Sequence, residues 1–222
     1  MSQFLNDQIG IIGTQANLIF DVGSHTGATT IEYLEHFPSA KVFAFEPEPA
    51  NLDVVTRALG PYYERVTVVD AALSENDGNA VFHVNSHNGT HSLLPIGDVQ
   101  YWAAHEKEVE RIQVKTRSLD SISTEYKIDH IDIVKMDIQG GELSALKGSQ
   151  RLLSSGGISL LALEVEFQQL YEAQPMFWDI CAYLQNFGYS FYKLYEPFYH
   201  PKNDRVLCWG DAIFLSPERL RL

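Results

Sequence analysis

Two acidic residues near the start of the chain stand at the ends of short apolar runs, where a carboxylate can bind a ligand. Asp21 precedes a turn that begins at Gly23 and ends at Gly27, and Glu46 follows the run KVFAF nineteen residues later. An acidic residue roughly 20 residues after a glycine turn accepts ribose hydroxyls in nucleotide-binding α/β proteins. We therefore expect a nucleoside cofactor between this turn and Glu46.

The composition of the turn favours one kind of nucleoside. A dinucleotide fingerprint reads GxGxxG, because its middle glycine gives a pyrophosphate room at the helix N-terminus, but His25 occupies that position here. Negative charge at Asp21 suits the ammonium and sulfonium groups of S-adenosylmethionine. We expect Ser24, His25 and Thr26 to lie in its site, and a nicotinamide-dependent oxidoreductase with the same turn stays open as an alternative.

A second pair of acidic residues lies in the segment IDIVKMDIQGGELSALKG. Asp137 ends an apolar run and Glu142 begins the helical segment that follows, so we expect both to point toward a ligand crevice as catalytic residues. A carboxylate there can orient or deprotonate a substrate hydroxyl, or bind a divalent cation that lowers the pKa of the hydroxyl. Glu142 has a simpler alternative role, which is to stabilise the helix dipole.

These residues need a scaffold that brings strand ends to one edge. Apolar runs alternate with helical segments, which predicts an α/β fold with a doubly wound, mainly parallel seven-stranded sheet and a crevice beyond its carboxyl ends. The last two runs predict an antiparallel hairpin at one edge. The predicted strands are residues 18–20, 42–45, 66–69, 131–136, 158–165, 190–194 and 212–215.

Two predictions concern segments between the strands. An insertion at about residues 79–116 alternates apolar and polar residues around the loop SHNGTHSLLP, which predicts a β-hairpin. The hairpin either caps the substrate site or extends the sheet without a chemical role, and its loop carries His87 and His91. Ser149 is expected to cap a short helix that holds Leu152 and Leu153.

Length, charge and cysteine content limit the function. The 222 residues suit one domain over 1–222, with residues 1–16 as an N-terminal lead-in. A formal net charge of −13 disfavours nucleic acid and anionic lipid, so we expect a neutral or cationic acceptor. Cys181 and Cys208 lack metal-binding spacing and are expected to be reduced. Neither a basic leader nor a long apolar run is present, which predicts a cytoplasmic protein without a membrane span.

The motifs taken together resemble the FkbM-type methyltransferase family. The resemblance covers most of the chain and rests on DVGSHTG, AFEPEP, DAALSENDG, SLDS, KMDIQGGELSALKG, LYEAQPMF and DAIF. It implies a Rossmann-like class I methyltransferase fold and an S-adenosylmethionine-dependent enzyme that methylates a hydroxyl oxygen of a sugar, glycan or natural product. A non-catalytic module that keeps the cofactor fold is the alternative from another functional class.

The same resemblance implies roles for individual residues. The implied cofactor contacts are Asp21, Gly23 and Gly27 at the methionine end, Glu46 at the ribose with Pro47 beside it, and Ala71, Ala72 and Leu73 at the adenine. Tyr171, Gln174 and Asp211 are candidates for substrate contact, although Tyr171 equally suits the core. Asn is common in the family where this chain has His25, and Gln139 leaves Asp137 and Glu142 as the acidic pair. Whether these two carboxylates bind a metal ion stays open.

Overall fold

The structure is a computed structural model that describes residues 1–97 and 106–220. These residues contain ten strands in two sheets. The strands are β1 (Leu18–Val22), β2 (Lys41–Phe45), β3 (Val66–Val69), β4 (Ala72–Leu73), β5 (Gly78–Asn85), β6 (Glu108–Arg117), β7 (Ile131–Met136), β8 (Ile158–Glu166), β9 (Ser190–His200) and β10 (Asn203–Leu215).

Seven α-helices accompany the strands in the described residues. They are α1 (Gln3–Ile12), α2 (Ala28–His36), α3 (Pro49–Leu59), α4 (Leu119–Glu125), α5 (Glu142–Lys147), α6 (Gln150–Ser154) and α7 (Phe177–Gln185). The predicted lead-in therefore contains a helix, α1. Within the described ranges, no helix has the length and apolar character needed to cross a membrane.

The larger sheet has seven strands in the order β3-β2-β1-β7-β8-β10-β9. Its strands pair in parallel from β3 to β8, whereas β10 pairs antiparallel with both β8 and β9. The predicted mainly parallel sheet with an antiparallel hairpin at one edge is confirmed. The strand order reverses between β1 and β7, and open α/β sheets bind ligands beyond the strand ends at such a switch point.

The predicted hairpin is formed by β5 and β6, which pair antiparallel. β4 joins β6 in parallel, and the three strands make a separate small sheet, so the hairpin does not extend the larger sheet. Residues 98–105 of the predicted insertion lie outside the described residues. That residues 1–222 form one domain stays a prediction.

The larger sheet is covered by apolar contacts on both faces. Phe20 and Val134 belong to a buried cluster that includes residues of α4 to α7, and Ile19 and Ile133 belong to one that includes residues of α1 to α3. All six residues of β7 are buried. Strands buried on both faces have nearly continuous apolar sequences, which is why these runs predicted the sheet.

Candidate active site

The turn after β1 is tied to the end of β2 by the main chain. The amide of Gly23 donates a hydrogen bond to the carbonyl oxygen of Phe45 at 3.2 Å. Gly23 and Gly27 have φ values of 79° and 85°, and His25 also has a positive φ of 51°. These left-handed conformations turn the chain sharply, so that the turn lies beside the carboxyl end of β2.

The side chain of Glu46 holds this turn. Its Oε2 accepts the amide of His25 and its Oε1 accepts the amide of Glu48, each at 2.9 Å. Burial raises the pKa of Glu46 to about 7, although the two amides lower it and the charges of Glu48 and Asp21 raise it. Each carboxylate oxygen keeps acceptor capacity for a further hydrogen bond.

A cavity of about 740 Å³ opens beside the turn at the switch point of the larger sheet. This volume includes the open mouth of the cavity. The predicted site residues that line it are Gly23, His25, Glu46, Pro47, Ala71, Ala72, Leu73 and Asp137. The structure therefore brings most of the predicted residues to one cavity.

The other predicted site residues do not line the cavity. They are Asp21, Ser24, Thr26, Gly27 and Glu142. Asp21 is fully buried and accepts a hydrogen bond from the hydroxyl of Thr30. Ser24 donates its hydroxyl to the carbonyl of Phe45 at 3.2 Å, Thr26 is exposed, and a Cβ on Gly27 would lie 3.1 Å from Val55. Ser24 and Gly27 therefore shape the turn from the protein side.

The inserted hairpin supplies part of the cavity wall. Its lining residues are Phe82, Asn88, Gly89, His91 and Leu93. Asn88 donates from Nδ2 to Oδ1 of Asn51 at 3.1 Å, which links the hairpin loop to α3. Among these lining residues, the sequence analysis named only His91, because it lies in the loop of the predicted hairpin. Burial lowers the pKa of His91. Asn51 carries no local signal, because its partner is 37 residues away.

Asp137 presents its carboxylate to the cavity directly after β7. Its side chain is 41% exposed, and its amide donates to the carbonyl of Val22 at 3.1 Å. Oδ1 accepts a hydrogen bond from Nε2 of Gln139 at 2.9 Å, and Oδ2 lies 3.7 Å from Nζ of Lys135. The carboxylate is therefore held at both oxygens while one side stays open.

Gln139 connects Asp137 to deeper groups. Its Nε2 also donates to Oε2 of Glu164 at 2.7 Å, and its Oε1 accepts the hydroxyl of Tyr171 at 2.8 Å. Its carbonyl oxygen accepts the hydroxyl of Ser92, a residue of the inserted region, at 2.7 Å. Burial, followed by the charge of Asp137, raises the pKa of Glu164 well above its ordinary value. The network was not predicted from the sequence.

Glu142 lies beneath the cavity, and the expectation that it points into the crevice is wrong. The residue is 1% exposed, and its Oε1 accepts the amide of Ile138 at 2.8 Å. Burial raises the pKa of Glu142 to about 7, while the amide of Ile138 lowers it and the charge of Asp137 raises it. Glu142 therefore holds the turn that follows Asp137.

The three candidates for substrate contact differ in burial. Tyr171 is fully buried, and Gln174 is 5% exposed with Oε1 accepting the amides of Leu170 and Tyr171. Asp211 is half-buried, and burial together with the charge of Asp137 raises its pKa to about 7. Tyr171 and Gln174 thus support the site from the core.

Across residues 1–97 and 106–220, no group of three or more His, Cys, Asp or Glu side chains is arranged to hold a metal ion.

Comparison with protein families identifies this arrangement. The family model described as the methyltransferase FkbM domain matches residues 21–191. The chain belongs to this family. The resemblance predicted from the motifs is confirmed, and the match includes all the predicted cofactor residues as well as Asp137 and Glu142.

Curated relatives carry methyltransferase names. The 2-O-methyltransferase NoeI of Sinorhizobium fredii is 28% identical over 164 residues, which are 71% of this chain and 66% of the relative. The hexuronic acid methyltransferase AglP of Haloferax volcanii is 28% identical over 141 residues, which are 63% of this chain and 52% of the relative. The chain thus spans between about half and two thirds of the length of these relatives.

Solved methyltransferases share the fold at low sequence identity. Precorrin-6y C5,15-methyltransferase from Geobacter metallireducens GS-15 has a TM-score of 0.51 and 13% identity, covering 95% of this chain and 87% of that one. M. capricolum TrmK, solved with S-adenosylhomocysteine, has a TM-score of 0.51 and 10% identity, covering 98% of this chain and 69% of that one. The predicted Rossmann-like class I methyltransferase fold is confirmed.

Proposed function

We propose that this chain is an S-adenosylmethionine-dependent O-methyltransferase that acts on a hydroxyl group of a sugar or glycan. The observation that carries the proposal is the position of Asp137, whose carboxylate opens into the same cavity as the glycine turn and Glu46. Transfer to a hydroxyl requires a proton acceptor next to the cofactor residues. Membership in the FkbM methyltransferase family supports the reaction type.

The residues of the cavity fit S-adenosylmethionine. Both oxygens of Glu46 retain acceptor capacity for ribose hydroxyls. Among the described residues, Nε2 of His25 is buried without a hydrogen-bond partner, so a ligand group in the cavity would complete its bonding. The residues proposed to hold the cofactor are Gly23, His25, Glu46 and Pro47 at the methionine and ribose, and Ala71, Ala72 and Leu73 at the adenine.

The remaining motif residues act through the turn in this proposal. Ser24 and Gly27 fix the main chain of the turn, and Glu142 fixes the main chain after Asp137. Asp21 is buried beneath the turn, where its negative charge favours a cationic methionine end without direct contact. None of these residues needs to reach the ligand.

The proposed mechanism assigns proton transfer to Asp137. Bound S-adenosylmethionine supplies the electrophilic methyl group. Asp137 would accept a hydrogen bond from the acceptor hydroxyl, orient its oxygen and take up its proton as the oxygen–methyl bond forms and the sulfur–methyl bond breaks, which leaves S-adenosylhomocysteine. Correct orientation contributes roughly 7 to 11 kcal/mol of barrier reduction, and a positioned base contributes roughly 10²- to 10⁴-fold in rate. Phe82 and Leu93 make part of the cavity wall apolar.

The acceptor class is inferred from names and charge. NoeI is named a 2-O-methyltransferase and AglP a hexuronic acid methyltransferase. The net charge of −13 favours a neutral or cationic acceptor over an anionic one. A glycan or small molecule is thus the expected partner, not a nucleic acid, and the predicted cytoplasmic location belongs to this proposal.

Two other functions have less support. A nicotinamide-dependent oxidoreductase needs space for a pyrophosphate, but His25 stands in the cavity wall where the fingerprint has a glycine. A non-catalytic module does not require a carboxylate that opens into the cavity, as that of Asp137 does. Both alternatives make measurable predictions.

Calorimetry and product analysis test the proposal. We expect S-adenosylhomocysteine to bind and NAD to show no heat, and we expect mass spectrometry to detect a mass gain of one methylene on a sugar from a panel of neutral, amino and uronic sugars. Binding of NAD without S-adenosylhomocysteine would support the oxidoreductase. Binding of S-adenosylhomocysteine without methyl transfer to any hydroxyl would support the non-catalytic module.

A further inference from the structure

One buried cation lies directly behind the cavity and has no role in the mechanism described so far. Lys135 is in β7, and its side chain is 10% exposed. Its Nζ lies 3.5 Å from Oδ1 of Asp21 and 3.7 Å from Oδ2 of Asp137, and it donates to the carbonyl oxygen of Gly23 at 3.4 Å. A buried ammonium group is costly unless carboxylates compensate it, so this placement requires an explanation.

The three charged side chains differ in exposure, which increases from Asp21 to Asp137. The exposed fraction is 0% for Asp21, 10% for Lys135 and 41% for Asp137. Asp21 and Lys135 are paired on the neighbouring strands β1 and β7, and Asp137 is two residues beyond Lys135, which is the spacing of one strand face. The ammonium group therefore approaches Asp137 from the side away from the cavity.

The charge on Lys135 is stabilised by carboxylates from four elements. Burial lowers the pKa of Lys135, but the charges of Asp137, Asp21, Asp211 and Glu164 outweigh burial and raise it above its ordinary value. These residues belong to β1, β8, β10 and the end of β7. The ammonium form of Lys135 is therefore favoured, which does not suit the role of a general base.

We infer that Lys135 is a positioning residue, whose ammonium group holds Oδ2 of Asp137 while the amide of Gln139 holds Oδ1, so that the carboxylate faces the acceptor hydroxyl in one orientation. The inference rests on the proposed function, because it assigns Asp137 to the acceptor. The hydrogen bond from Nζ of Lys135 to the carbonyl oxygen of Gly23 also fixes the position of the carboxylate relative to the turn after β1. Lys135 itself contacts neither ligand.

Without Lys135, two effects should impair Asp137. The side chain would keep the hydrogen bond from Gln139 at Oδ1 but lose the contact that holds Oδ2. Its carboxylate would also lose the ammonium group that lies 3.7 Å from Oδ2. An opposite charge at this distance favours the charged form of a carboxyl group, and a protonated Asp137 cannot accept the hydroxyl proton.

A double-mutant cycle tests the inference. The variants are Lys135→Met, which keeps length and removes charge, Asp137→Asn, and the combination. We expect Lys135→Met to lower kcat about tenfold or more and to move the acid limb of the kcat profile to higher pH. In the Asp137→Asn background it should change kcat less than about twofold, because a residue that acts through Asp137 loses its effect when Asp137 is removed. Equal fold-changes in both backgrounds would overturn the inference.

Two measurements that do not depend on turnover complete the test. Calorimetry should give S-adenosylhomocysteine affinities within about threefold of wild type for all three variants, and thermal unfolding should show that Lys135→Met lowers Tm less in the Asp137→Asn background. If wild type transfers no methyl group while the Tm coupling is present, the proposed function fails and the charge pairing stands. An active wild type without either coupling contradicts the inference alone.

Two further variants separate a positioning role of Lys135 from a folding defect: one keeps the cation, and one removes a lysine away from the cavity. Lys135→Arg keeps the cation and should restore part of kcat and the acid limb, even if Lys135→Met folds poorly. Lys193→Met removes another lysine–aspartate pair, between Lys193 and Asp7 at 3.1 Å, away from the cavity, and should leave kcat unchanged. A pH profile of Lys135→Arg as impaired as that of a folded Lys135→Met would contradict a positioning role for the charge.

Discussion

A Cβ atom on Gly23 would overlap the main-chain carbonyl oxygen of Asp137, so the turn after β1 and the end of β7 are in direct main-chain contact. This contact joins the residues proposed for the cofactor to the residue proposed for the acceptor. Because main chain rather than flexible side chains sets their separation, the two halves of the site are held in a fixed relation.

Gly23→Ala should abolish cofactor binding and lower stability. The substitution combines the collision with Asp137 and a φ of 79°, at which a Cβ is strained. Gly13→Ala is the matched control, because Gly13 has a φ of 81° but no atom within 4 Å of the added Cβ. We expect Gly13→Ala to lower stability by about 1 to 2 kcal/mol and to leave S-adenosylhomocysteine affinity unchanged, as measured by thermal unfolding and calorimetry. Equal affinities of the two variants would show that the turn is misassigned.

Cofactor affinity should increase between pH 6 and pH 8. The pKa of Glu46 is raised to about 7, so the carboxyl is largely protonated at pH 6 and has lost acceptor capacity for ribose hydroxyls. Affinity should fall by up to about tenfold for each pH unit below 7. Glu46→Gln should weaken binding by on the order of 1.5 to 3 kcal/mol and remove this pH dependence. A wild-type affinity that is constant over this range would count against the ribose role.

The sheet could be predicted because burial on both faces leaves a continuous apolar signal in each strand. The helix that follows Ser149 shows where such reasoning stops. Ser149 stands at the expected cap position, but its hydroxyl donates to the carbonyl of Ala145 at 2.7 Å. The amides of Arg151 and Leu152 are accepted instead by Asp120, at 2.7 and 3.2 Å. The true cap comes from α4, about 30 residues earlier in the chain, and no local pattern reports it.

The site was predictable where function coincides with strand ends. Gly23, Glu46 and Asp137 follow β1, β2 and β7, and all three line the cavity. Sequence spacing does not give depth, so it did not separate Glu142 under the cavity from Asp137 on its surface. Sequence spacing also did not identify Lys135 as part of the site, because the role of a lysine in an apolar strand depends on partners such as Asp21 on another strand.

Stability should decrease as pH rises from about 4.5 to about 7. The pKa of Glu142 is about 7 in the folded protein against 4.5 as its ordinary value, so the folded state retains a proton that the unfolded state releases over this window. The penalty grows from about pH 4.5 to about pH 7 and reaches up to about 3 kcal/mol. Thermal unfolding should show a falling Tm, and Glu142→Gln should flatten the slope even if its Tm is lower at every pH. An unchanged slope in Glu142→Gln would assign the dependence to other groups.

Tyr171→Phe should lower turnover of the acceptor more than the loss of another buried tyrosine hydroxyl does. The hydroxyl of Tyr171 lies 2.8 Å from Oε1 of Gln139 and 2.9 Å from the carbonyl of Thr90, so it links the inserted region to the partner of Asp137. Tyr189→Phe is the matched control, since it removes a buried hydroxyl that donates to Ile158 at 2.7 Å. Both variants should lose about 1 to 2 kcal/mol of stability. Steady-state kinetics should show a kcat/KM for the acceptor that falls about tenfold in Tyr171→Phe alone, and equal values would limit the hydroxyl to a structural role.

Asp137→Asn should lower kcat by roughly 10²-fold or more with little change in cofactor affinity. The amide keeps the shape of the side chain but cannot take up a hydroxyl proton, and the cofactor contacts of the turn and Glu46 are untouched. Single-turnover rates and calorimetry with S-adenosylhomocysteine measure the two effects separately. Asp129→Asn, at a side chain that is 99% exposed, should change neither.

The same variant also distinguishes two chemistries for Asp137. If chelator abolishes wild-type turnover and magnesium restores it, Asp137 acts as a ligand of a cation that activates the hydroxyl, and Asp137→Asn should recover part of its rate at high magnesium. If chelator has no effect, Asp137 accepts the proton directly, and the loss in Asp137→Asn should be independent of added cation. Near-native turnover of Asp137→Asn under both conditions would contradict either role, and the carboxylate would then serve only to compensate the buried charge of Lys135.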